Sequence, residues 1–398
     1  MSGRRQPVVG VLGGGQLARM LALAAAPLGV KTLVVDSVAD ACAGQVAPLL
    51  VADWTDFAAL EDFARKVDVV TFDFENVPAA TAHWLAERVA VFPNPHALAV
   101  AQDRLVEKNL FRDCGLATPE FIAVDTRASL DRALAAIGAP AILKTRRLGY
   151  DGKGQFRLRS LADADAAWAV LGAQADAHGL ILEAFVPFER ELSVLAVRGR
   201  DGHFHTWPLT QNWHTDGVLS LSLAPALAIG QLQQRATELA RTLAERLDYV
   251  GVFALELFVK DGELLGNEMA PRVHNSGHWT IEGAHTSQFE NHVRAVLGLP
   301  LGDTGARGVS AMFNWIGDMP DAAPVLRTAD AHWHDYGKQF RPGRKVGHAT
   351  VCAPDGAALA DRLAALADGL GRAAQAAPAL RELTCRQDLL RPGPVPAK

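Results

Sequence analysis

The chain has 398 residues, enough for roughly two to three domains with sizeable cores. Hydrophobic residues at 49% and charged residues at 21% rule out a largely disordered chain, and a net charge of −5 speaks against a protein that coats nucleic acid. No apolar run reaches the ~18–20 residues of a membrane span. The apolar stretch that follows Arg4-Arg5 is broken by Gly13-Gly14-Gly15-Gln16 and Arg19, which argues against a secretory leader. The four cysteines, Cys42, Cys114, Cys352 and Cys385, lie far apart with no CxxC pair, as expected of reduced thiols in a cytoplasmic protein.

Pro7–Leu12 predicts a strand, Gln16–Ala26 a helix with Leu17, Met20, Leu21 and Ala24 at helical spacing, and Lys31–Asp36 a second strand. Val67–Phe74 and Val89–Phe92 read as further buried strands. The first ~100 residues are thus expected to form a parallel sheet covered by helices on both faces. Asp103–Gly115 predicts a helix closed by glycine, and Thr118-Pro119 opens a mixed region. There the pattern predicts a strand at Ala141–Thr145, a glycine loop at Gly149–Gly154 and a helix at Leu161–Leu171. Strands follow at Leu180–Phe185 and Glu191–Val197, then a helix at Gln231–Leu247. Gly251–Val259 and Glu263–Met269 form a hairpin around Asp261-Gly262. Beyond about Leu301, strands are expected near Val309–Ile316 and Gly347–Val351 and an amphipathic helix at Asp355–Ala374, with a frayed Pro-rich end at Arg391–Lys398. The fold class is therefore α/β followed by α+β.

Several segments carry chemistry. Gly13-Gly-Gly15-Gln-Leu-Ala18 satisfies G-x-G-x-x-G/A, with Asp36 ending the next strand; this suits a dinucleotide, another phosphate or a tight turn alone. Glu75-Asn76 stands at a strand end, where open α/β sheets place ligand contacts. Lys144 ends a strand just before Gly149-Tyr-Asp-Gly-Lys153-Gly-Gln155, a loop whose amides could fold over phosphates, although no Walker A motif occurs and a surface hairpin is the alternative. Glu183 and Glu191 are either solvated acids or acceptors for adenine and ribose. Glu256 and Glu268 sit in apolar hairpin strands, where carboxylates suit Mg²⁺. A two-residue turn would pair Glu256 with Asn267, whereas a three-residue loop with a bulge pairs it with Glu268; the bulged loop is expected. Arg272-Val-His274-Asn275-Ser-Gly-His278 concentrates donors for an oxyanion. Lys338 and Arg341-Pro-Gly-Arg344-Lys345 form the concentrated basic stretch, read as a phosphate clamp or a solvated turn. His332-x-His334 is read as structural.

A strand lysine, a glycine lid, hinge acids and paired hairpin carboxylates together resemble the ATP-grasp superfamily. Within it, Gly13–Met20, Phe74–Asn76, Gln102–Lys108, Gly149–Gln155 and Asn267–Thr280 resemble the N5-carboxyaminoimidazole ribonucleotide synthase family, from about residue 7 to 390. Ala18 stands where glycine is common in that family. The resemblance implies an ATP-dependent ligase of purine biosynthesis that joins bicarbonate to 5-aminoimidazole ribonucleotide. It implies a Rossmann-like pre-ATP-grasp domain at 1–117, a lid subdomain at 118–186, a large subdomain at 187–302 and a small C-terminal domain at 303–398.

By the same resemblance, ATP is bound by Arg104, Lys144, Gly149, Tyr150, Asp151, Gly152, Lys153, Gly154, Gln155, Glu183, Ala184, Phe185, Val186, Glu191, His214, Asn267 and Glu268. Mg²⁺ is held by Glu256 and Glu268. The ribonucleotide meets Gln16, Glu75, Asn76, Tyr150 and Asp151, and its phosphate meets Lys338, Arg344 and Lys345. Arg272, His274, Asn275 and Lys345 orient bicarbonate or its phosphorylated form, with His274 a candidate proton acceptor. A homodimer in the cytoplasm is implied, with no nucleic acid or membrane partner. The rival readings are a formate-dependent glycinamide ribonucleotide formyltransferase, an NAD-dependent oxidoreductase built on Gly13–Asp36, and a non-catalytic nucleotide-binding regulator.

Overall fold

The computed structural model describes residues 5–149 and 154–385. Strands β1 (Val8–Leu12), β2 (Lys31–Asp36), β3 (Leu49–Val51) and β4 (Val69–Phe72) form a parallel sheet in the order β3-β2-β1-β4. The chain leaves β1 toward β2 on one side and returns to β4 on the other, so the carboxyl ends of β1 and β4 flank a topological switch point. Helix Gln16–Ala25 buries Leu17, Met20 and Leu21 against helix Gln288–Leu297, while helix Phe57–Ala64 packs Leu60 and Phe63 in a separate cluster with Val35 and Val70. Val89–Phe92 is not a strand: Val91 makes an isolated bridge to Val70, and Pro93, lacking an N–H, cannot extend it.

The second unit is an antiparallel sheet of β5 (Phe121–Val124), β6 (Ala141–Thr145), β7 (Gln155–Leu158) and β8 (Leu180–Ala184), in the order β5-β8-β6-β7. Alternation gives it two faces. Ala141, Leu143, Leu180 and Leu182 pack on helices Arg127–Ile137 and Ala164–His178. Ile142, Lys144 and Glu183 therefore lie on the opposite face.

The remaining strands form one antiparallel sheet. They are β9 (Arg190–Arg198), β10 (Phe204–Thr206), β11 (Thr210–Thr215), β12 (Val218–Ala224), β13 (Gly251–Lys260), β14 (Glu263–Ala270), β15 (Val309–Ile316), β16 (Ala331–Asp335) and β17 (Lys345–Ala353). Their order is β14-β13-β9-β11-β12-β15-β17-β16, with β10 beside β9. The C-terminal strands thus extend the central sheet, because β12 offers its second edge to β15 through Leu221–Ala224. The expected helix Asp355–Ala374 is two helices, Gly356–Gly369 and Ala373–Cys385, divided at Gly371 with φ of 63°. Among the described residues no helix is long and apolar enough to cross a membrane.

The hairpin corrects one expectation and meets another. Its turn has two residues, Asp261 and Gly262, both at positive φ, with Lys260 opposite Glu263. Asp-Gly supports that geometry directly, so no third loop residue is needed. The extra residue sits inside β14 instead: Leu257 pairs with Gly266 but Glu256 pairs with Glu268, leaving Asn267 as the bulge. The two acids face each other for a reason other than the expected one.

Candidate active site

The carboxyl ends of β1 and β4, the exposed face of the lid sheet and one face of the large sheet enclose a cleft of about 720 Å³. Its lining gathers Gln16, Glu75, Asn76, Arg104, Lys144, Gly149, Gln155, Glu191, His214, Glu256, Asn267, Glu268, Arg272, His274, Asn275, Lys338, Arg344 and Lys345. An adjoining hollow of about 680 Å³ shares Ile142, Gln155, Phe188, Glu191 and His214 and adds Arg157 and Phe185. The sequence spacing of these residues exceeds three hundred positions, yet they converge because strand faces turned inward, strand ends, the first residues of helices Gln16–Ala25 and Arg104–Asp113 and the loop before β17 all meet at this cleft.

The glycine turn is occupied by the protein itself. Gly14 N donates to Asp36 Oδ2 at 2.6 Å, while Gly15 N and Ala18 N each donate to Asp73 at 2.8 Å. These amides at the start of the helix would serve a pyrophosphate in a dinucleotide site. A Cβ on Gly15 would lie 2.5 Å from Asp73 Oδ2, so glycine here admits a carboxylate rather than a cofactor. Asp36 Oδ1 also accepts from Val38 N at 2.8 Å, so both oxygens of this carboxylate are engaged by backbone amides. The oxidoreductase reading of this motif fails on those contacts. Burial raises the carboxyl pKa of Asp73, against the pull of the two amides. Asp73 was not singled out from the sequence; the signal was an acid ending β4, directly beside the glycine turn.

Next to this turn the C-terminal basic stretch closes in. Lys338 Nζ donates to Gln16 Oε1, and Gln45 Nε2 donates to the Gly337 carbonyl at 3.3 Å. Arg341, Arg344 and Lys345 line the cleft, which favours the phosphate-clamp reading over a solvated turn. Gln102 Nε2 donates to the carbonyls of Glu75 and Val77 at 2.7 Å each and so shapes the segment that carries Asn76. Glu75 accepts from Arg272 Nε. Burial works to raise the Glu75 carboxyl, but the guanidinium holds it below its usual value.

The hairpin acids occupy the cleft floor. Arg104 Nη1 donates to Glu268 Oε2 at 2.7 Å, and His274 Nε2 lies 3.1 Å from Glu256 Oε1. Burial, then the charge of Glu268, pushes Glu256 up to about 7, whereas Arg104 overcomes burial and draws Glu268 down to about 2. A pair of hard oxygen donors at directly opposed positions, one disfavoured by the charge of the other, fits a divalent cation. Among the described residues no group of three or more acid, histidine or cysteine side chains is arranged to ligate a metal. Two carboxylates with remaining positions left for phosphate and water are the pattern of Mg²⁺.

The donor loop is more ordered than its sequence suggests. His274 Nδ1 lies 2.9 Å from Ser276 Oγ and accepts from Ser276 N at 3.3 Å, which fixes the ring with Nε2 toward Glu256. Burial, then Arg272 and Lys345, holds His274 well below its ordinary pKa, which keeps the ring neutral. His274 Nε2 thus stands within hydrogen-bond reach of Glu256, an acid itself pushed up to about 7. Asn275 and Asn314 exchange amide hydrogen bonds at 3.0 and 2.7 Å, which fixes the Asn275 side chain against β15.

At the nucleotide end, one expectation changes. Glu183 is only 3% exposed, and its Oε2 accepts from Lys144 at 2.9 Å with Lys108 at 3.4 Å. Those cations overcome burial and bring its carboxyl to about 2. Its side chain is thus a buried counter-ion that holds Lys144 in place through Oε2, while Oε1 has no hydrogen-bond partner among the described residues. Ala184 and Val186 flank Phe185, which lines the hollow under the Arg157 guanidinium, 4.2 Å from its ring centre. Glu191 Oε2 is hydrogen-bonded to His214 Nδ1; burial opposes protonation of that ring, but Glu191 raises its pKa. Gly149 and Gly154 bracket the lid loop, and the Gly154 carbonyl accepts from Thr145 N at 2.8 Å. Tyr150, Asp151, Gly152 and Lys153 lie outside the described residues.

Helix Arg104–Asp113 supplies more of the site than its sequence announced. Arg104 and Glu107 line the cleft floor, and Lys108, four residues on from Arg104, is buried behind it. Burial, then Glu268, pushes Glu107 up to about 8 while its Oε1 accepts from Met269 N at 2.7 Å. The N-cap Asp103 accepts from Arg146 and Arg147, joining this helix to the lid.

Comparison with known proteins agrees with this arrangement. Residues 7–102 match the ribonucleotide synthetase preATP-grasp domain, 109–289 the ATP-grasp domain, and 310–362 the phosphoribosylaminoimidazole carboxylase C-terminal domain. The chain is 53% identical over 357 residues to an N5-carboxyaminoimidazole ribonucleotide synthase of Pseudomonas aeruginosa, covering 89% of this chain and 97% of that one. It is similar to the crystal structure of an N5-carboxyaminoimidazole ribonucleotide synthetase from Thermus thermophilus, with a TM-score of 0.86, 53% identity and coverage of 90% and 98%. An Aspergillus clavatus N5-carboxyaminoimidazole synthase, solved with ADP and 5-aminoimidazole ribonucleotide, matches with a TM-score of 0.84 and 32% identity over 92% of this chain and 99% of that one.

Proposed function

The chain belongs to the N5-carboxyaminoimidazole ribonucleotide synthase family of ATP-grasp enzymes, and on that premise we propose that it uses ATP to carboxylate 5-aminoimidazole ribonucleotide with bicarbonate in purine biosynthesis. The carrying observation is the single cleft in which the lid lysine Lys144, the opposed acids Glu256 and Glu268, the donors Arg272 and His274, and the basic Lys338–Lys345 stretch converge. That order matches a triphosphate, a small anion and a phosphorylated acceptor lying side by side.

Arg104, Lys144 and the 149–155 loop hold the ATP phosphates, with Glu191 and His214 at the ribose and Phe185 at the base. Mg²⁺, held by Glu256 and Glu268 with Asn267 beside them, supplies neutralising charge for the transferring phosphoryl group. Arg272 and Lys345 orient bicarbonate so that its oxygen attacks the γ-phosphorus while ADP departs. Carboxyphosphate forms and releases phosphate and CO₂ within the cleft. The exocyclic amine of the ribonucleotide attacks that carbon, passes a proton to the released phosphate and becomes the carbamate product. Gln16, Glu75, Asn76, Tyr150 and Asp151 hold the acceptor nucleotide, and Lys338 and Arg344 its phosphate. A closed lid protects carboxyphosphate from water. We place this enzyme in the cytoplasm as a homodimer, the latter checked by light scattering after size exclusion.

The experiment follows oxygen. With [¹⁸O]bicarbonate, ATP and 5-aminoimidazole ribonucleotide, the released phosphate should carry one ¹⁸O. Unlabelled phosphate from bicarbonate, but labelled phosphate from [¹⁸O]formate with glycinamide ribonucleotide, would move the chain to the formyltransferase reaction.

A further inference from the structure

Strand β14 lies at the edge of the large sheet, so one row of its peptide groups has no partner in β13. The bulge at Asn267 adds a kink that the ladder cannot satisfy. These groups meet the helix Arg104–Asp113 and the turn after it. Lys108 Nζ donates to the Asn267 carbonyl at 3.0 Å, Met269 N donates to Glu107 at 2.7 Å, and Gly266 N donates to the Ala117 carbonyl at 2.7 Å. Phe111 and Leu116 crowd Gly266 so closely that a Cβ there would meet them at 2.9 and 2.7 Å.

Lys108 is the unexpected member. Its side chain is 0% exposed, and Phe111 of the same helix packs into an apolar cluster with Leu257, Leu264 and Met269. An apolar residue would suit such a position better unless the ammonium has a task, since a buried cation is costly without partners. Its partners are the Asn267 carbonyl and Glu183. The register explains the task. Continued from the two-residue turn without a bulge, the ladder would set Glu256 opposite Asn267 and send Glu268 to the other face.

We infer that Lys108 is a positioning residue: by holding the Asn267 carbonyl it maintains the bulge that turns Glu268 onto the face of Glu256, and so sets the metal response of nucleotide binding from outside the cleft. This inference rests on the MgATP reading above. Lys108 touches neither substrate nor metal; it acts through the backbone that carries Asn267 and Glu268.

The test is ADP binding by calorimetry to the full chain, in excess Mg²⁺ and in EDTA. Wild-type protein binds ADP more tightly with Mg²⁺. In Lys108→Met that tightening falls by about tenfold or more, while the affinity in EDTA changes by less than about threefold. Leu363→Ala, a cavity in the C-terminal helix Gly356–Gly369, whose apolar cluster is separate from that of Phe111 and Met269, lowers Tm but keeps the tightening. A lower Tm in Lys108→Met with the tightening intact would make Lys108 structural only. An equal loss with and without Mg²⁺ would place its effect on the nucleotide, through Glu183 and Lys144, and would also overturn the inference. Should the methionine variant not fold, Lys108→Gln, with a shorter neutral donor, is expected to lose part of the tightening; wild-type tightening there would contradict the account. Absence of any Mg²⁺ effect in wild-type protein would instead remove the nucleotide reading on which the inference stands.

Discussion

His292 joins the N-terminal parallel sheet to the large antiparallel sheet and should impose a measurable pH dependence on stability. Its Nδ1 accepts from Val252 N at 3.0 Å, so the ring proton lies on Nε2, which meets Thr71 Oγ1 at 2.7 Å. Adding a proton to Nδ1 would set two donors against each other in a site closed to water. Burial accordingly lowers the pKa of His292 to about 3, from an ordinary 6.5. The folded state then binds fewer protons than the unfolded chain between those values. The contribution is complete above pH 6.5 and is lost as pH falls toward 3. Between pH 7 and pH 5 the loss is about 2 kcal/mol, with a ceiling near 5 kcal/mol at the lower limit. The perturbation is His292→Gln, whose amide can still accept from Val252 and donate to Thr71 but does not titrate. Buried neutral His278 and His348 act with the same sign, so the readout is the difference in pH slope between the two proteins. Urea unfolding at pH 5, 6 and 7 should show wild-type protein losing about 2 kcal/mol more than the variant over this range. Parallel slopes would refute the assignment of a neutral His292 at this junction.

Three further outcomes follow from the site. Lys144→Ala should weaken ATP binding by about 10- to 100-fold in calorimetry, the worth of a charge-assisted hydrogen bond, and should lower Tm because Glu183 keeps only its longer contact to Lys108. Glu268→Gln should cut turnover by about 10²-fold or more while the far-ultraviolet spectrum stays that of wild type; Tm should fall modestly, because the loss of the ion pair with Arg104 outweighs the relief of repulsion with Glu256, and an unchanged turnover rate would sink the metal assignment. Gly15→Ala should cost about 1–3 kcal/mol in denaturant unfolding, because its Cβ would press on the buried Asp73 carboxylate; a neutral effect would mean that the glycine turn has room to spare.

What the sequence made legible was whatever local pattern controls. The alternation and helical spacing of residues 8–36 match β1, the first helix and β2 closely, because the periodicity of a buried face is written locally even where, as for the first helix, the partner is the remote helix Gln288–Leu297. The acids at 256 and 268 stood out as charges in apolar strands, and their pairing was anticipated. The bulge that produces that pairing was not, because it depends on a helix more than 150 positions away holding Asn267 and Met269 by their backbone. The same distance hid Asp73, whose importance lies in amides 55 and 58 residues earlier. Glu183 was legible as an acid on a strand, but its burial between two lysines was not, since neither lysine is local to it. The C-terminal strands read as a separate region because nothing in their pattern says which edge they join. The helix Ala373–Cys385 escaped notice because Pro378 lies inside it.

The central claim is that this cleft spends ATP only to carboxylate a specific ribonucleotide. Its most direct measurement is ADP release from MgATP and bicarbonate, with and without 5-aminoimidazole ribonucleotide. The account predicts release that rises strongly when that nucleotide is added and falls when bicarbonate is removed. Release indifferent to the nucleotide, or stimulated by glycinamide ribonucleotide and formate in its place, would contradict it.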